Sequence, residues 1–244
     1  MSLENPVMSI KSPSGLAHSK PIDALPGQFS SVYGNLHPIL LLSTAAVSFP
    51  TLVKDPVSTL LGLVPTTATF QVLYCILCLP STGQAPPPAL KPGQKKKSGK
   101  VTQDFGAKLV PAFLSLVLSI TLTAPVLFVF TILFGAPVTS HTLHTLLFAL
   151  HIALLTTPQL FYAHGLDTQK WLRIVSLQLP IDEAYGMAIG AFIGAWLGAI
   201  PIPLDWDRDW QRWPVTITVG LYCGAVLGKL AGGYLLKGSR IKIS

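Results

Sequence analysis

Acidic residues are scarce in this sequence: ten Asp and Glu in 244 residues, with only 11% of positions charged in either sign, where a soluble domain is about a quarter charged. That shortage excludes an ordinary water-soluble domain. Cysteine is scarcer still, at three residues (Cys75, Cys78 and Cys223), too few for a disulfide scaffold. Cys75 and Cys78 have CxxC spacing, yet no second pair completes a tetrahedral set, so apolar packing is their expected role. The first 35 residues lack an uninterrupted apolar stretch and carry Pro6, Pro13, Gly15, Pro21, Pro26 and Gly27; they read as a disordered cytosolic tail and not as a signal peptide. Also missing are the acid and histidine sets of lipid-transferring membrane enzymes: no DGxxAR with trailing aspartates, no Lys/Arg and His phosphatase set, no paired HxxxH and HxxHH boxes. No catalytic residue, metal site or cofactor is therefore assigned, although an unfamiliar active site in an autonomous phospholipid-modifying enzyme stays open.

What fills the chain instead is hydrocarbon. Half of the residues are hydrophobic and the mean hydropathy is +0.55. A spanning helix needs roughly 20 mostly apolar residues, and six segments qualify: 36–53, 57–79, 109–134, 141–163, 184–203 and 214–236. The expectation is an all-α polytopic membrane protein with a hairpin of two spans at 36–79, a disordered Lys- and Pro-rich cytosolic linker at 80–108, four more spans over 109–236 and a short tail at 237–244. Positive charge orients it. Twelve Lys and Arg fall on one set of alternate segments (Lys11, Lys20, Lys91, Lys95, Lys96, Lys97, Lys100, Lys170, Arg173, Lys237, Arg240 and Lys242), against three on the other (Lys54, Arg208 and Arg212). Both tails then face the cytosol, and the formal charge of +7 requires no nucleic acid. The opposite side has only short connections, so no folded domain stands there.

Three polar or small-residue patterns remain. The stretch DWDRDWQRWP joins the last two spans with Asp205, Trp206, Asp207, Arg208, Asp209, Trp210, Arg212 and Trp213; alternating acids resemble cation ligands, but the interleaved arginines favour an ion-paired turn anchored by an aromatic belt. His141, His144 and His151 share one predicted span, where ionisable groups are functional hypotheses by default. They either line a polar cavity or hydrogen-bond across the bundle. The strongest pattern is glycine at strict four-residue spacing: Gly186, Gly190, Gly194 and Gly198 in the fifth span, and Gly220, Gly224, Gly228 and Gly232 in the sixth. Small residues let helix backbones approach closely in lipid, so these two spans are expected to pack as an antiparallel pair, with a partner groove at the edge of the stripe.

The run GAFIGAWLGAIPIPLDWDRDWQRWPVTITVGLYCGAVLGK, Gly190 to Lys229, resembles the C-terminal signature of the phosphatidylinositol-glycan class F family of GPI-anchor biosynthesis proteins, its fungal members above all. The likeness is strongest over the last 60 or so residues and looser through GAPVTSHTLHTLLFAL; some relatives have Pro where Asp209 stands. The resemblance implies a small, non-catalytic subunit of the endoplasmic-reticulum membrane. In that family the subunit stabilises the large ethanolamine-phosphate transferases, whose lumenal domain moves phosphoethanolamine onto mannose of the GPI precursor. The implied partners are those transferases and membrane lipids. A direct lipid-handling role, with the histidine-bearing span lining a headgroup cavity, is the alternative.

Overall fold

The computed structural model describes residues 20–82, 105–204 and 206–241. Among them no strand occurs. The α-helices are α1 Gln28–Lys54, α2 Pro56–Cys78, α3 Phe105–Leu118, α4 Ala124–Leu133, α5 Thr142–Thr156, α6 Pro158–His164, α7 Thr168–Val175, α8 Glu183–Ala199 and α9 Val215–Leu230. A π-helical turn at Ser119–Thr123 joins α3 to α4, and a second at Ala231–Leu235 extends α9. Five of the resulting rods are long and apolar enough to cross a membrane: Gln28–Lys54, Pro56–Cys78, Gly106–Leu133, Thr142–His164 and Val215–Leu235.

The fifth expected span, 184–203, is shorter than predicted. Helix α8 has 17 residues, roughly 26 Å of helix against a hydrocarbon core of about 30 Å. It stops just before Pro201 and Pro203, which lack the backbone N–H that would continue the hydrogen-bond ladder. At the other end of the chain the correction runs the opposite way: α1 starts at Gln28, not at residue 36. The segment QFSSVYGN is too polar for a hydropathy reading. Its spacing nevertheless puts Ser30, Tyr33 and His37 on one buried face, which is what fixes it as helix. Likewise α3 begins at Phe105, not at 109. The remainder of the predicted N-tail (1–19) and linker (83–104), and residues 242–244, lie outside the described residues.

The rod formed by α5 and α6 is the axis of the bundle, with 83% of its most apolar stretch buried against 11–50% for the other four. Around it the core gathers Leu41 of α1, Phe148 and Leu155 of α5, Met187 of α8 and Leu221 and Tyr222 of α9. Alternating helix directions define two ends. The turn end holds the α1–α2, α4–α5 and α8–α9 connections; the tail end holds the start of α1, the end of α2, the start of α8 and the end of α9.

Both ends of the described chain are fastened at the tail end to the residues just before α8. The Ile22 amide donates to Asp182 Oδ2 (3.0 Å), and the Ile181 amide donates to the Ser239 carbonyl while the Gly238 amide donates back to Ile181 (both 2.8 Å). Lys237 pairs with Asp23 at 2.7 Å. Asp182 also caps α8 by accepting from the Tyr185 amide at 2.9 Å; burial pushes its carboxyl above the usual value while the Tyr185 and Ile22 amides pull it down.

Candidate functional site

The most extensive packing in the molecule is α8 against α9, and it is made by the eight glycines. A methyl group on Gly194 would sit 2.1 Å from the Gly220 carbonyl oxygen, on Gly190 2.3 Å from that of Gly224, and on Gly186 2.5 Å from that of Gly228. Gly198 meets the Thr216 carbonyl at 2.5 Å, and Gly232 meets that of Asp182 at 2.3 Å. The reverse views from Gly220, Gly224 and Gly228 give 2.2 Å each, to Gly194, Gly190 and Gly186. Each glycine therefore receives a backbone carbonyl, and the seam is closed by close Cα–H···O approaches and dispersion. All eight face within the pair.

Alongside the seam runs an open, almost wholly apolar groove of about 630 Å³, walled by Phe49, Ile193, Leu197, Val219 and Leu227 and ending at Trp210. That tryptophan also packs with Leu52, Leu60, Leu147 and Val215, and its ring lies 5.8 Å from that of Trp206. Trp213 turns inward, edge-on to Phe148 at 5.5 Å.

What fixes the DWDRDWQRWP turn is a residue the sequence reading passed over. Gln211 is 7% exposed. Its Nε2 donates to the carbonyls of Pro201 and Leu204 (2.8 Å each), and its Oε1 accepts from the Arg208 amide at 3.0 Å. The side chains of Asp207 and Arg208, by contrast, are exposed, and Asp209 pairs with Arg212 at 2.7 Å in solvent. No acidic or histidine cluster able to hold a metal occurs among the described residues; Asp205 lies outside them. The expected outcome of Gln211→Ala is a loss of about 1–2 kcal/mol, because the Arg208 amide loses its acceptor while the Pro201 and Leu204 carbonyls keep the Leu204 and Trp206 amides, with Arg208→Ala near neutral; thermal unfolding in detergent checks it.

The three histidines do not form one cavity. His141 and His144 lie edge to face at 5.0 Å at the turn end, and His141 Nδ1 meets Ser140 Oγ at 2.8 Å. His151 is two turns deeper than His144 and completely buried. Its Nε2 lies 3.0 Å from the Leu60 carbonyl, an acceptor only, so Nε2 carries the proton. In the neutral ring, Nδ1 then accepts from the Tyr222 hydroxyl at 2.9 Å, and that hydroxyl accepts from Thr67 Oγ1 at 2.7 Å. Every member of this network across α2, α5 and α9 is satisfied, leaving His151 no free nitrogen for a headgroup.

A second polar cluster, absent from the sequence reading, sits at the tail end. Lys229 of α9 is 3% exposed. Its Nζ donates to the Gly34 carbonyl at 2.5 Å, lies 3.6 Å from Glu183 Oε2 and stands 4.7 Å from the centre of the Tyr74 ring, a cation–π distance. The Tyr74 hydroxyl donates to the same carboxylate at 3.2 Å, and His37 stacks on the Tyr74 ring at 4.7 Å with neither nitrogen bonded. Nearby, Lys108 reaches the Ile76 carbonyl at 3.4 Å. Beside Lys229 a cavity of about 290 Å³ opens between α1 and α9. Four helices distant in sequence contribute, so no local motif announced this cluster.

Five apolar rods long enough to cross a membrane, gathered around a buried axial helix and with two helices in backbone contact, define an all-helical protein of membrane-spanning character. A model of the GPI biosynthesis protein family Pig-F matches residues 36–233, and the chain belongs to that family. It is 41% identical over 236 residues to the glycosylphosphatidylinositol anchor biosynthesis protein 11 of Neurospora crassa, covering 94% of this chain and 84% of that one. The Aspergillus fumigatus protein of the same name is 37% identical over 241 residues (86% and 81% covered), and that of Pyricularia oryzae 42% over 202 (82% and 75%). No solved structure matches the chain.

Proposed function

We propose that this chain is the non-catalytic stabilising subunit of a GPI ethanolamine-phosphate transferase, a six-span protein of the endoplasmic-reticulum membrane with both tails cytosolic. The observation that carries the reading is the groove beside the glycine seam. It is open and apolar, with Gly194 and Gly224 at its base and Ile193, Leu197 and Leu227 standing beside them, so the side chains of a partner's transmembrane helix can pack into it. Membership of a GPI-biosynthesis family supplies the pathway. The bonds of Ile22, Gly238 and Ser239 to residues 181 and 182 support an even number of crossings between them, with α8 as the short fifth, and the Lys and Arg asymmetry supports a cytosolic tail end.

The test fills the groove without touching the seam. Ile193 is 53% exposed, so Ile193→Trp leaves the chain's own abundance unchanged. Affinity purification in mild detergent then recovers about ten-fold less transferase, the effect of a steric block worth about 1.4 kcal/mol or more. Undiminished recovery of the transferase, or its absence from the wild-type purification, overturns the reading.

A further inference from the structure

The cavity at the tail end is a different kind of site from the groove, and its charge decides what it takes. Its wall includes Ser30, Ser31, Gly34, Asn35, Glu183 and Lys229. Lys229 and Glu183 supply one charge of each sign 3.6 Å apart, which matches neither a net anion nor a net cation. Two features point to a phosphate on the Lys229 side. Ser30 is 5% exposed and its buried hydroxyl has no hydrogen-bond partner. The first turn of α1 also forms part of the wall, and its cap residue, Gly27, offers no side chain to the free amides there; such a helix start favours an anion. Glu183, whose side chain is 33% exposed, faces the same space and suits an ammonium.

We propose that this cavity binds the headgroup of a zwitterionic phospholipid, with the phosphate against Lys229, Ser30 and the start of α1, and the ammonium against Glu183. The volume of about 290 Å³ is at the small end for ligand pockets and admits a headgroup but not a whole lipid. Room for it exists beside α1: a methyl group on Gly27 would meet nothing within 4 Å, and one on Gly34 only Cys78 Sγ at 4.0 Å. The shared chemistry, a phosphate ester bearing an amine, also describes soluble phosphoethanolamine. A lipid is the source the walls favour, because Leu230 and Tyr234 line the opening and, with Phe29 and Val32 of α1, are 39–84% exposed. Those apolar side chains offer acyl chains a path out and offer a soluble ligand nothing. The inference does not rest on the docking role proposed above, which concerns the groove.

The decisive experiment is native mass spectrometry of the full-length chain, delipidated and reconstituted with equal amounts of dioleoyl phosphatidylethanolamine, phosphatidylcholine and phosphatidylglycerol. Retention of either zwitterionic lipid in preference to phosphatidylglycerol is expected, falling about ten-fold in Lys229→Gln through loss of a charge-assisted contact. Because Lys229 is also structural, Ser31→Trp serves as the second variant: Ser31 is exposed at the cavity wall, so the bulky ring obstructs it while the buried cluster stays whole. Equal retention of phosphatidylglycerol, undiminished retention in a folded Ser31→Trp protein, or no retained lipid in the wild type overturns the proposal. So does saturable binding of soluble phosphoethanolamine without lipid retention, which moves the site to a soluble ligand.

Discussion

Gly194→Leu is expected to remove the folded protein from the membrane. At that position even a methyl group would stand 2.1 Å from the Gly220 carbonyl oxygen and 2.6 Å from the Gly224 Cα. Both obstacles are backbone, so no side chain can rotate away, and relief requires the two helices to separate. Overpacking a core that can adjust costs about 1–3 kcal/mol. Here the whole α8–α9 contact is at stake, and a loss above about 3 kcal/mol takes a large share of the 5–15 kcal/mol that holds a typical domain together. Steady-state abundance and the midpoint of thermal unfolding in detergent are the readouts. Gly62→Ala is the companion: nothing lies within 4 Å of an added methyl in α2, and the better helix propensity of alanine leaves stability equal or raises it by up to about 1 kcal/mol. Equal tolerance of Gly194→Leu and Gly62→Ala would show that the seam is not what holds α8 in place.

The second large effect is at His151. Truncation to Ala empties a fully buried ring position and removes the bonds from the ring to the Tyr222 hydroxyl and the Leu60 carbonyl, leaving the hydroxyl only Thr67 as a partner. The cavity and the unmade bonds together cost about 3–5 kcal/mol. His144→Ala, at the partly exposed end of the same rod, stays within roughly 0.5 kcal/mol. Tyr222→Phe falls between them, removing two hydrogen bonds and leaving Thr67 and His151 each a partner short. Equilibrium unfolding of the three variants ranks them; a ranking that places His144 above His151 would contradict a structural role for the network and return attention to the turn-end pair.

How far the sequence could be read depended on whether a feature was local. The bilayer forces long apolar runs into helices, so the positions of five rods were legible from hydropathy alone. The glycine spacing was legible because each half of the pattern lies within one helix, and its exact period left only the identity of the opposite wall open. Three things were hidden. The first turns of α1 are built from Gln28, Ser30, Ser31 and Tyr33, and the burial of Ser30 and Tyr33 depends on neighbouring helices lying beside them, as when Tyr33 donates to the Phe70 carbonyl of α2 at 3.0 Å. Gln211 stood unnoticed among tryptophans and arginines, since a side-chain amide shows its worth only once the carbonyls of Pro201 and Leu204 turn toward it. Lys229 and Glu183 are separated by most of α8, the turn and α9, and a lysine near a span end is ordinarily a residue that reaches outward to water; this one points inward.

The shortness of α8 has a consequence for how the protein is made. A 17-residue helix carrying four glycines is a poor candidate for entering the bilayer alone, since it undershoots the hydrocarbon and leaves a strip of backbone with nothing to touch. Its complement, α9, begins at Val215, only a short turn later in synthesis. The two are therefore expected to enter the bilayer together as a hairpin, with the Gln211 bonds to the carbonyls of Pro201 and Leu204 holding the turn between them.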